Sequence, residues 1–264
     1  MRIAVCIKQV PDTEARLRLS GDGTWIDEED LSFVINESDG YALEEALQIA
    51  ERTGGEVVVF SLGPERVREA LRKALALGAV RAVHLKDPAY LGGDSLSTGR
   101  ALAAALTPEE FDLVLTGSQS DDVGFSSTGS VIAGELGWPH AWLVMGVELD
   151  EASKKVKVTR EMEAGMNEIS NLDLPAVLEI QAGLNKPRYA SLKGIMQAKK
   201  KEISEPSPGD LGLSPETLGE AGAKVEVLSV AFPEAGKGAQ MIEGDADTAA
   251  KTLVDKLQKE ARIL

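Results

Sequence analysis

The chain has 264 residues, a formal net charge of −15 and a hydrophobic fraction of 43%, enough to bury a full core in one large domain, or in one domain with an appendage. A pI near 4.7 argues against nucleic acid as the main ligand, which needs a broad basic surface, and no run approaches the roughly eighteen apolar residues of a membrane span. The single cysteine, Cys6, excludes an internal disulfide framework and a cysteine-based metal cluster; between Val5 and Ile7 it reads as a buried, inert thiol in a cytoplasmic-type setting.

Residues 3–7 are a continuous apolar run. Lys8, Pro11 and Asp12 interrupt it before a signal-type apolar region develops, so it predicts a first strand rather than a leader. Residues 37–52 carry Ala42, Leu43, Ala46, Leu47, Ile49 and Ala50 at helical spacing, with Asn36 or Ser38 as N-cap. A strand over 56–60 precedes a helix from 64 to about 77, with Pro64 early and Gly78 past its end. The alternation continues with a strand over 80–85, a helix over 95–106, a strand over 111–115 and a helix over 126–136. Strand–helix–strand units of about thirty residues imply a parallel sheet with crossover helices. Continuous rather than alternating apolar strands imply cover on both faces. The predicted fold is a doubly wound, Rossmann-like parallel α/β sheet over residues 1–183.

The pattern then changes. Residues 142–149 and 154–160 read as paired strands about the polar turn 150–153, and 176–180 as a buried strand after Pro175. From about 184 to 240 the chain is polar and punctuated by Pro and Gly, and only 225–230 reads as a strand. Such a segment buries little by itself, so it is expected to lie along a partner or to be mobile. An amphipathic helix over 246–261 follows, with Ala249, Leu253, Leu257 and Ala261 on one face. Residues 184–264 are thus expected to form an extended C-terminal arm.

Familiar catalytic patterns are missing. Gly21-Asp22-Gly23 lacks the third glycine of a dinucleotide fingerprint and reads as a hairpin turn between 17–19 and 25–26. There is no P-loop, and Gly124-Phe125-Ser126-Ser127-Thr128 lacks the closing glycine of a nucleophile elbow. His84, inside a strand, and His140, in a loop, have no Glu or Cys at metal-ligand spacing and read as satisfied or solvated.

The loop 117–129 is more informative. It follows the fourth predicted strand and runs into a helix whose free N–H groups could hold a phosphate, with Ser126, Ser127 and Thr128 adding hydroxyls. Composition fits a capped helix start equally well. The loop 35–40, before the first long helix, is similarly placed, the loop 62–64 lies at the end of the second strand, and convergence of the three at one sheet edge would build an adenylate pocket. Residues 186–202 pack six basic residues against one acidic residue, interleaved with Tyr189, Leu192, Ile195 and Met196. Basic charge to steer approach and apolar anchors to hold contact suit a docking element on an acidic body.

Over nearly its whole length the chain resembles the β subunits of electron transfer flavoproteins. The resemblance rests on Val-Cys-Ile-Lys-Gln-Val at 5–10, Ala-Leu-Glu-Glu-Ala-Leu at 42–47, Ala-Leu-Ala-Leu-Gly-Ala at 74–79 and Asp-Leu-Val-Leu-Thr-Gly-Ser-Gln at 112–119. Thr-Gly-x-x-x-Ala-Gly-x-Leu-Gly-Trp-Pro at 128–139, Leu-Pro-Ala-Val at 174–177 and Leu-Asn-Lys-Pro-Arg-Tyr-Ala-Ser-Leu-Lys-Gly-Ile-Met-Gln-Ala-Lys-Lys-Lys at 184–201 complete it. It implies a heterodimer whose α subunit holds most of the FAD. Family members carry electrons from dehydrogenases, typically the acyl-CoA dehydrogenases of fatty acid oxidation, to a membrane quinone oxidoreductase.

The resemblance further implies a structural AMP at Cys6, Asn36, Glu37, Ser38, Asp39, Leu62, Gly117, Ser118, Gln119, Ser120, Asp121, Asp122, Val123, Gly124, Phe125, Ser126, Ser127 and Thr128. A recognition loop over about 180–202 would dock the dehydrogenase through Leu192, with Tyr189, Ile195, Met196, Lys199, Lys200 and Lys201 around it. Arg160 and Glu161 match a strand-end pair facing the flavin domain. No side chain of this chain is expected to do redox chemistry, which belongs to the flavin. Departures are Ser118 in place of a basic residue, Val123-Gly124-Phe125 in place of a more polar run, Glu37-Ser38 in place of Pro and an aromatic, and Thr13 in place of an aromatic. Electron-bifurcating relatives hold a second FAD, react with NADH and carry an Asp-Gly-Asp-Thr-type run in the pocket. Its absence here favours AMP. An adenylate-binding regulatory protein without flavin is the remaining alternative.

Overall fold

The computed structural model describes residues 1–234, 236 and 238–264. Its first half contains β1 (Arg2–Cys6), the short strands β2 (Gln9–Pro11) and β3 (Phe33–Ile35), α1 (Glu37–Thr53), β4 (Glu56–Leu62) and α2 (Val67–Leu77). β5 (Arg81–Leu85), α3 (Ser95–Leu106), β6 (Leu113–Gly117) and α4 (Thr128–Leu136) continue the alternation. A meander of β7 (His140–Asp150), β8 (Lys155–Glu161) and β9 (Asn167–Asp173) leads to β10 (Ala176–Ile180). Beyond it lie α5 (Leu192–Ala198), β11 (Ile203–Ser204), α6 (Gly219–Gly222) and α7 (Ala246–Lys256).

One sheet of nine strands runs in the order β11-β5-β4-β1-β6-β10-β7-β8-β9. It is parallel from β11 to β7 and antiparallel through β8 and β9. Ile3, Ala4 and Val5 of β1 and Val58, Val59 and Phe60 of β4 are all buried, because α1 and α2 cover one face and α3 and α4 the other. This is the doubly wound, Rossmann-like architecture that the continuous apolar strands predict. β4 and β5 lie on one side of β1, and β6 and β10 on the other. Winding therefore reverses between β1 and β6, and the loops leaving their carboxyl ends part to open a crevice.

Local differences have identifiable causes. The helix expected from residue 64 starts at Val67, and the one expected from 126 starts at Thr128, after Ser126 takes a left-handed φ of 50°. The expected hairpin at 17–26 reduces to one bridge, Leu19 to Ile26. β7 begins at His140, so that histidine sits on a strand, not in a loop. β9 is a polar edge strand, Asn-Glu-Ile-Ser-Asn-Leu-Asp, created by pairing with β8 rather than by apolar periodicity. The strand expected over 225–230 is absent. Val225, Val227 and Leu228 are exposed, and the run meets no strand with which to build a ladder. The amphipathic helix is α7 continued by a π turn over Leu257–Ala261, with Leu253 and Val254 exposed.

Much of the polar segment past 184 runs back over the body instead of projecting from it. β11 extends the sheet beside β5, Leu218 is buried, and the N–H groups of Lys224 and Val225 donate to Asp94 Oδ2 at 2.6 and 3.2 Å. Backbone hydrogen bonds hold this segment, and composition does not encode them.

Candidate functional site

A cleft of about 550 Å³ opens at the carboxyl edge of the sheet, beside the reversal point. Glu37 and Ser38 at the start of α1, residues 118–124 after β6, and Gln181 and Ala182 just past β10 form its walls.

Two loops distant in sequence are stitched together at its base. Asn36 occupies the N-cap of α1, yet its side chain makes no capping bond. Its Nδ2 donates instead to the Gln119 carbonyl at 2.8 Å and to Ser38 Oγ at 3.0 Å, while Oδ1 accepts the Asp121 N–H at 2.8 Å. Ser38 Oγ donates to the same carbonyl at 2.7 Å, and the Glu37 N–H donates to Asp121 Oδ2 at 3.1 Å. Asn36 is buried, so this satisfied amide is a structural clamp for the wall.

Beneath it, the buried Asp39 carboxylate accepts the Lys8 N–H at 2.6 Å and the Gly117 N–H at 2.8 Å. Burial pushes its carboxyl up to about 7, against the pull of these N–H groups and the Lys8 charge. Any Cβ at Gly117 would lie 2.2 Å from Ser38 Oγ and 2.4 Å from Asp39 Oδ1, so the first turn of α1 rests directly on the end of β6. The Lys8 ammonium reaches over the cleft loop to Asp122 Oδ1 at 2.6 Å and Ser120 Oγ at 3.4 Å. Burial pushes the Asp122 carboxyl up, but the bond and charge of Lys8 outweigh it and hold the group below the usual carboxylate range.

On the far wall, Ser118 Oγ donates to Gln181 Oε1 at 2.8 Å, and Gln181 Nε2 donates to Glu161 Oε2 at 3.4 Å. Arg160 is fixed beside it: Nε donates to the Trp142 carbonyl at 2.9 Å and Nη1 to Glu168 Oε1 at 2.7 Å. Its guanidinium carbon lies 5.7 Å from the centre of the Trp142 ring.

Among the residues singled out by sequence, Glu37, Ser38, Ser118, Gln119, Ser120, Asp121, Asp122, Val123 and Gly124 line the cleft. Asn36, Asp39 and Gly117 stand behind its wall. Phe125, Ser126 and Ser127 lead to Thr128 and the first turn of α4, which no side chain caps. Cys6 and Leu62 do not line the cleft. Cys6 is buried, which pushes its thiol up, and Leu62 packs against the cluster under α3. The loop after β4 turns toward β5 instead, with the Gly63 N–H donating to the Leu85 carbonyl at 3.1 Å. Two loops and the end of β10, not three loops, build the pocket.

Lys8, Gln181 and Ala182 were not singled out for this site. The available signal was position: Lys8 is the first charged residue past the apolar run of β1, and Gln181 the first polar one past β10. His84 is buried with Nε2 3.0 Å from the Gly63 carbonyl, and His140 Nε2 lies 2.7 Å from Glu179 Oε1. Among the described residues no group of His, Cys, Asp and Glu is arranged to hold a metal ion, and no helix is long and apolar enough to cross a membrane.

The second candidate surface is α5. Tyr189, Leu192 and Met196 are 98%, 83% and 71% exposed, with Ile195 at 45% beside them. Lys199 and Lys200 are exposed as well. Lys201 departs from its expected outward role. Its ammonium donates to the Leu75 and Ala79 carbonyls at 2.9 and 2.6 Å, which caps the end of α2.

Sheet order, covered faces and a cleft at the winding reversal define a Rossmann-like α/β protein. Residues 23–211 match the family model described as the electron transfer flavoprotein domain. The chain is 43% identical over 256 residues to electron transfer flavoprotein subunit beta of Methylophilus methylotrophus, covering 96% of this chain and 97% of that one. It is 36% identical over 268 residues to the same subunit of Sus scrofa, with 100% and 99% covered. To the caffeyl-CoA reductase-Etf complex subunit CarD of Acetobacterium woodii it is 39% identical over 263 residues, with 98% and 99% covered. The chain belongs to the electron transfer flavoprotein β-subunit family.

Proposed function

We propose that the chain works in the cytoplasm as the β subunit of a heterodimeric electron transfer flavoprotein. In this reading it binds a structural AMP in the cleft, supports the FAD domain of an α subunit, and docks acyl-CoA dehydrogenases through α5. Electrons then pass toward a membrane quinone oxidoreductase. FAD supplies the redox chemistry when bound; this chain's residues bind, orient and dock.

The size of the cleft and its polar lining support an adenylate. Ser38, Ser118, Gln119 and Ser120 offer hydrogen-bonding side chains, and Asp121 and Glu37 offer carboxylate acceptors for ribose hydroxyls. Lys8 offsets the charge of Asp122. The uncapped first turn of α4, with Ser126, Ser127 and Thr128, would take the phosphate. Glu161, tied to the cleft through Gln181, and its neighbour Arg160 would face the flavin domain.

The observation that carries the docking role is the exposure of Leu192 and Met196 on a helix held against its own body. Burying Leu192 in a partner pocket would contribute roughly 1.5–3 kcal/mol, while exposed lysine pairs contribute about 0–1 kcal/mol each.

Cofactor extraction from the co-purified heterodimer, read by absorbance and mass spectrometry, tests the reading. One FAD and one AMP per heterodimer is the expected result. Two flavins and no AMP would replace it with the bifurcating, NADH-reactive reading. AMP without a flavin-bearing partner would leave an adenylate-binding regulatory protein.

A further inference from the structure

Between the cleft wall at Ala182 and the exposed Leu192, the chain crosses α1. There the Arg188 guanidinium meets two carboxylates on one helix face. Nε and Nη2 donate to Glu44 Oε2 and Oε1 at 2.8 and 3.1 Å, and the Arg188 backbone N–H also donates to Glu44 Oε2 at 3.1 Å. Nη2 donates to Glu51 Oε2 at 3.2 Å, and Nη1 to Glu51 Oε1. Spacing of i and i+7 places both acids in one row, and Gln48 Nε2 braces Glu44 Oε1 at 2.8 Å.

Glu44 is 5% exposed, and a carboxylate so buried is tolerated only when fully paired. Burial pushes it up, yet the bonds from Arg188 and Gln48 hold it below the usual carboxylate range. The guanidinium fork, with two side-chain donors on Glu44 and two on Glu51, is specific to arginine.

α5 itself is anchored on α2. A Cβ at Gly194 would lie 2.3 Å from the Ala76 carbonyl oxygen, so the two backbones touch. Arg72 Nη1 donates to the Ala198 and Lys201 carbonyls at 2.5 and 2.7 Å. A helix of seven residues does not hold its shape in water by itself. This one is held by α2 and by the Arg188 segment that leads into it, while its largest apolar side chains face outward.

We infer that Glu44 and Glu51 are positioning residues for partner recognition: with Arg188 they form a latch that holds α5 in its docking-ready form before the partner arrives. The inference rests on the proposed docking role of Leu192. Pre-organisation removes from the binding step the entropy of ordering the segment, so losing the latch weakens docking without touching a contact made by the partner.

The test uses the α/β heterodimer with its cofactors, assayed as electron acceptor of an acyl-CoA dehydrogenase, together with hydrogen exchange of residues 186–200. In the double variant Glu44→Gln/Glu51→Gln, KM for the carrier should rise about tenfold, equivalent to ~1.4 kcal/mol, with kcat within about twofold and cofactor content unchanged. Exchange over 186–200 should quicken, and Glu51→Asp should retain most of the wild-type KM. Leu192→Ala separates the two layers. If it leaves KM unaltered, the docking role itself fails. If it raises KM while the double variant does not, the latch is overturned. Should the double variant not fold, Glu51→Gln alone, at an exposed carboxylate, must still raise KM, and an unaltered value there overturns the latch as well.

Discussion

Asp39 and Gly117, separated by 78 positions, are joined by a hydrogen bond of 2.8 Å from the Gly117 N–H to the buried Asp39 carboxylate. The bond ties the first turn of α1 to the end of β6 and so sets the distance across which the cleft opens. An acid near the amino end of α1 also sits favourably with the helix dipole.

Gly117→Ala should therefore disturb the cleft more than its small volume suggests. The new methyl would overlap Ser38 Oγ and the Asp39 backbone, which cannot retreat without moving α1. Overpacking of this kind costs about 1–3 kcal/mol. Urea denaturation should show that loss, and the purified heterodimer should carry less AMP than wild type.

Asp39 also predicts a pH dependence. Its folded-state carboxyl, near 7, lies above its ordinary value of 3.8. Below the lower value both folded and unfolded chains hold the proton. Between the two, the folded chain binds more protons, so this residue's contribution to stability falls as pH rises and is fully lost above 7. Asp39→Asn removes that component. The stability difference between wild type and variant should shift in favour of the variant from pH 4 to pH 8, because only wild type loses stability through this group. A difference independent of pH would show that Asp39 does not titrate in this window.

The lysines at the end of α5 should separate in their effects. Lys201 caps the end of α2 with two bonds to carbonyls, whereas Lys199 and Lys200 are exposed. Lys201→Ala should cost about 1–2 kcal/mol of stability in urea titrations. Lys199→Ala should lie within about 0.5 kcal/mol of wild type and slow reduction by the dehydrogenase mainly at low salt.

Leu192→Ala should slow reduction by the dehydrogenase more than any single lysine change, with flavin content and thermal stability near wild type, since the side chain contacts little of its own chain. Stopped-flow reduction measured against ionic strength checks this. The leucine effect should persist as salt rises, whereas a lysine effect should fade.

Short-range signals explain what was legible. β1, β4, β5, β6 and β10 are buried on both faces and announce themselves as apolar runs, and α1 carries its core stripe at Ala42, Leu43, Ala46 and Leu47. The loop after β6 stood out because its strand and helix did. The polar strand β9 and the two-residue β11 left no periodic trace, since pairing with β8 and β5 creates them, whereas Leu192, Ile195 and Met196 of α5 do fall at helical spacing. Leu62 looked equivalent to Gly117 as a residue at a strand's carboxyl end. The loop that follows it was sent toward β5 by hydrogen bonds that composition does not display.

By itself, then, the order of residues determined the alternation of strands and helices, the doubly wound class and, through matching motifs, the family. Each of these depends on periodicity or on short runs, which are properties of neighbours along the chain. Only the tertiary structure decided that Lys8 and Gln181 join Asn36 around one cleft, that Lys201 turns inward, and that Glu44 and Glu51 hold Arg188 in the segment before the exposed Leu192. Those pairings join residues up to 144 positions apart. The specificity of such bonds comes from burial and geometry that exist only after the sheet has assembled.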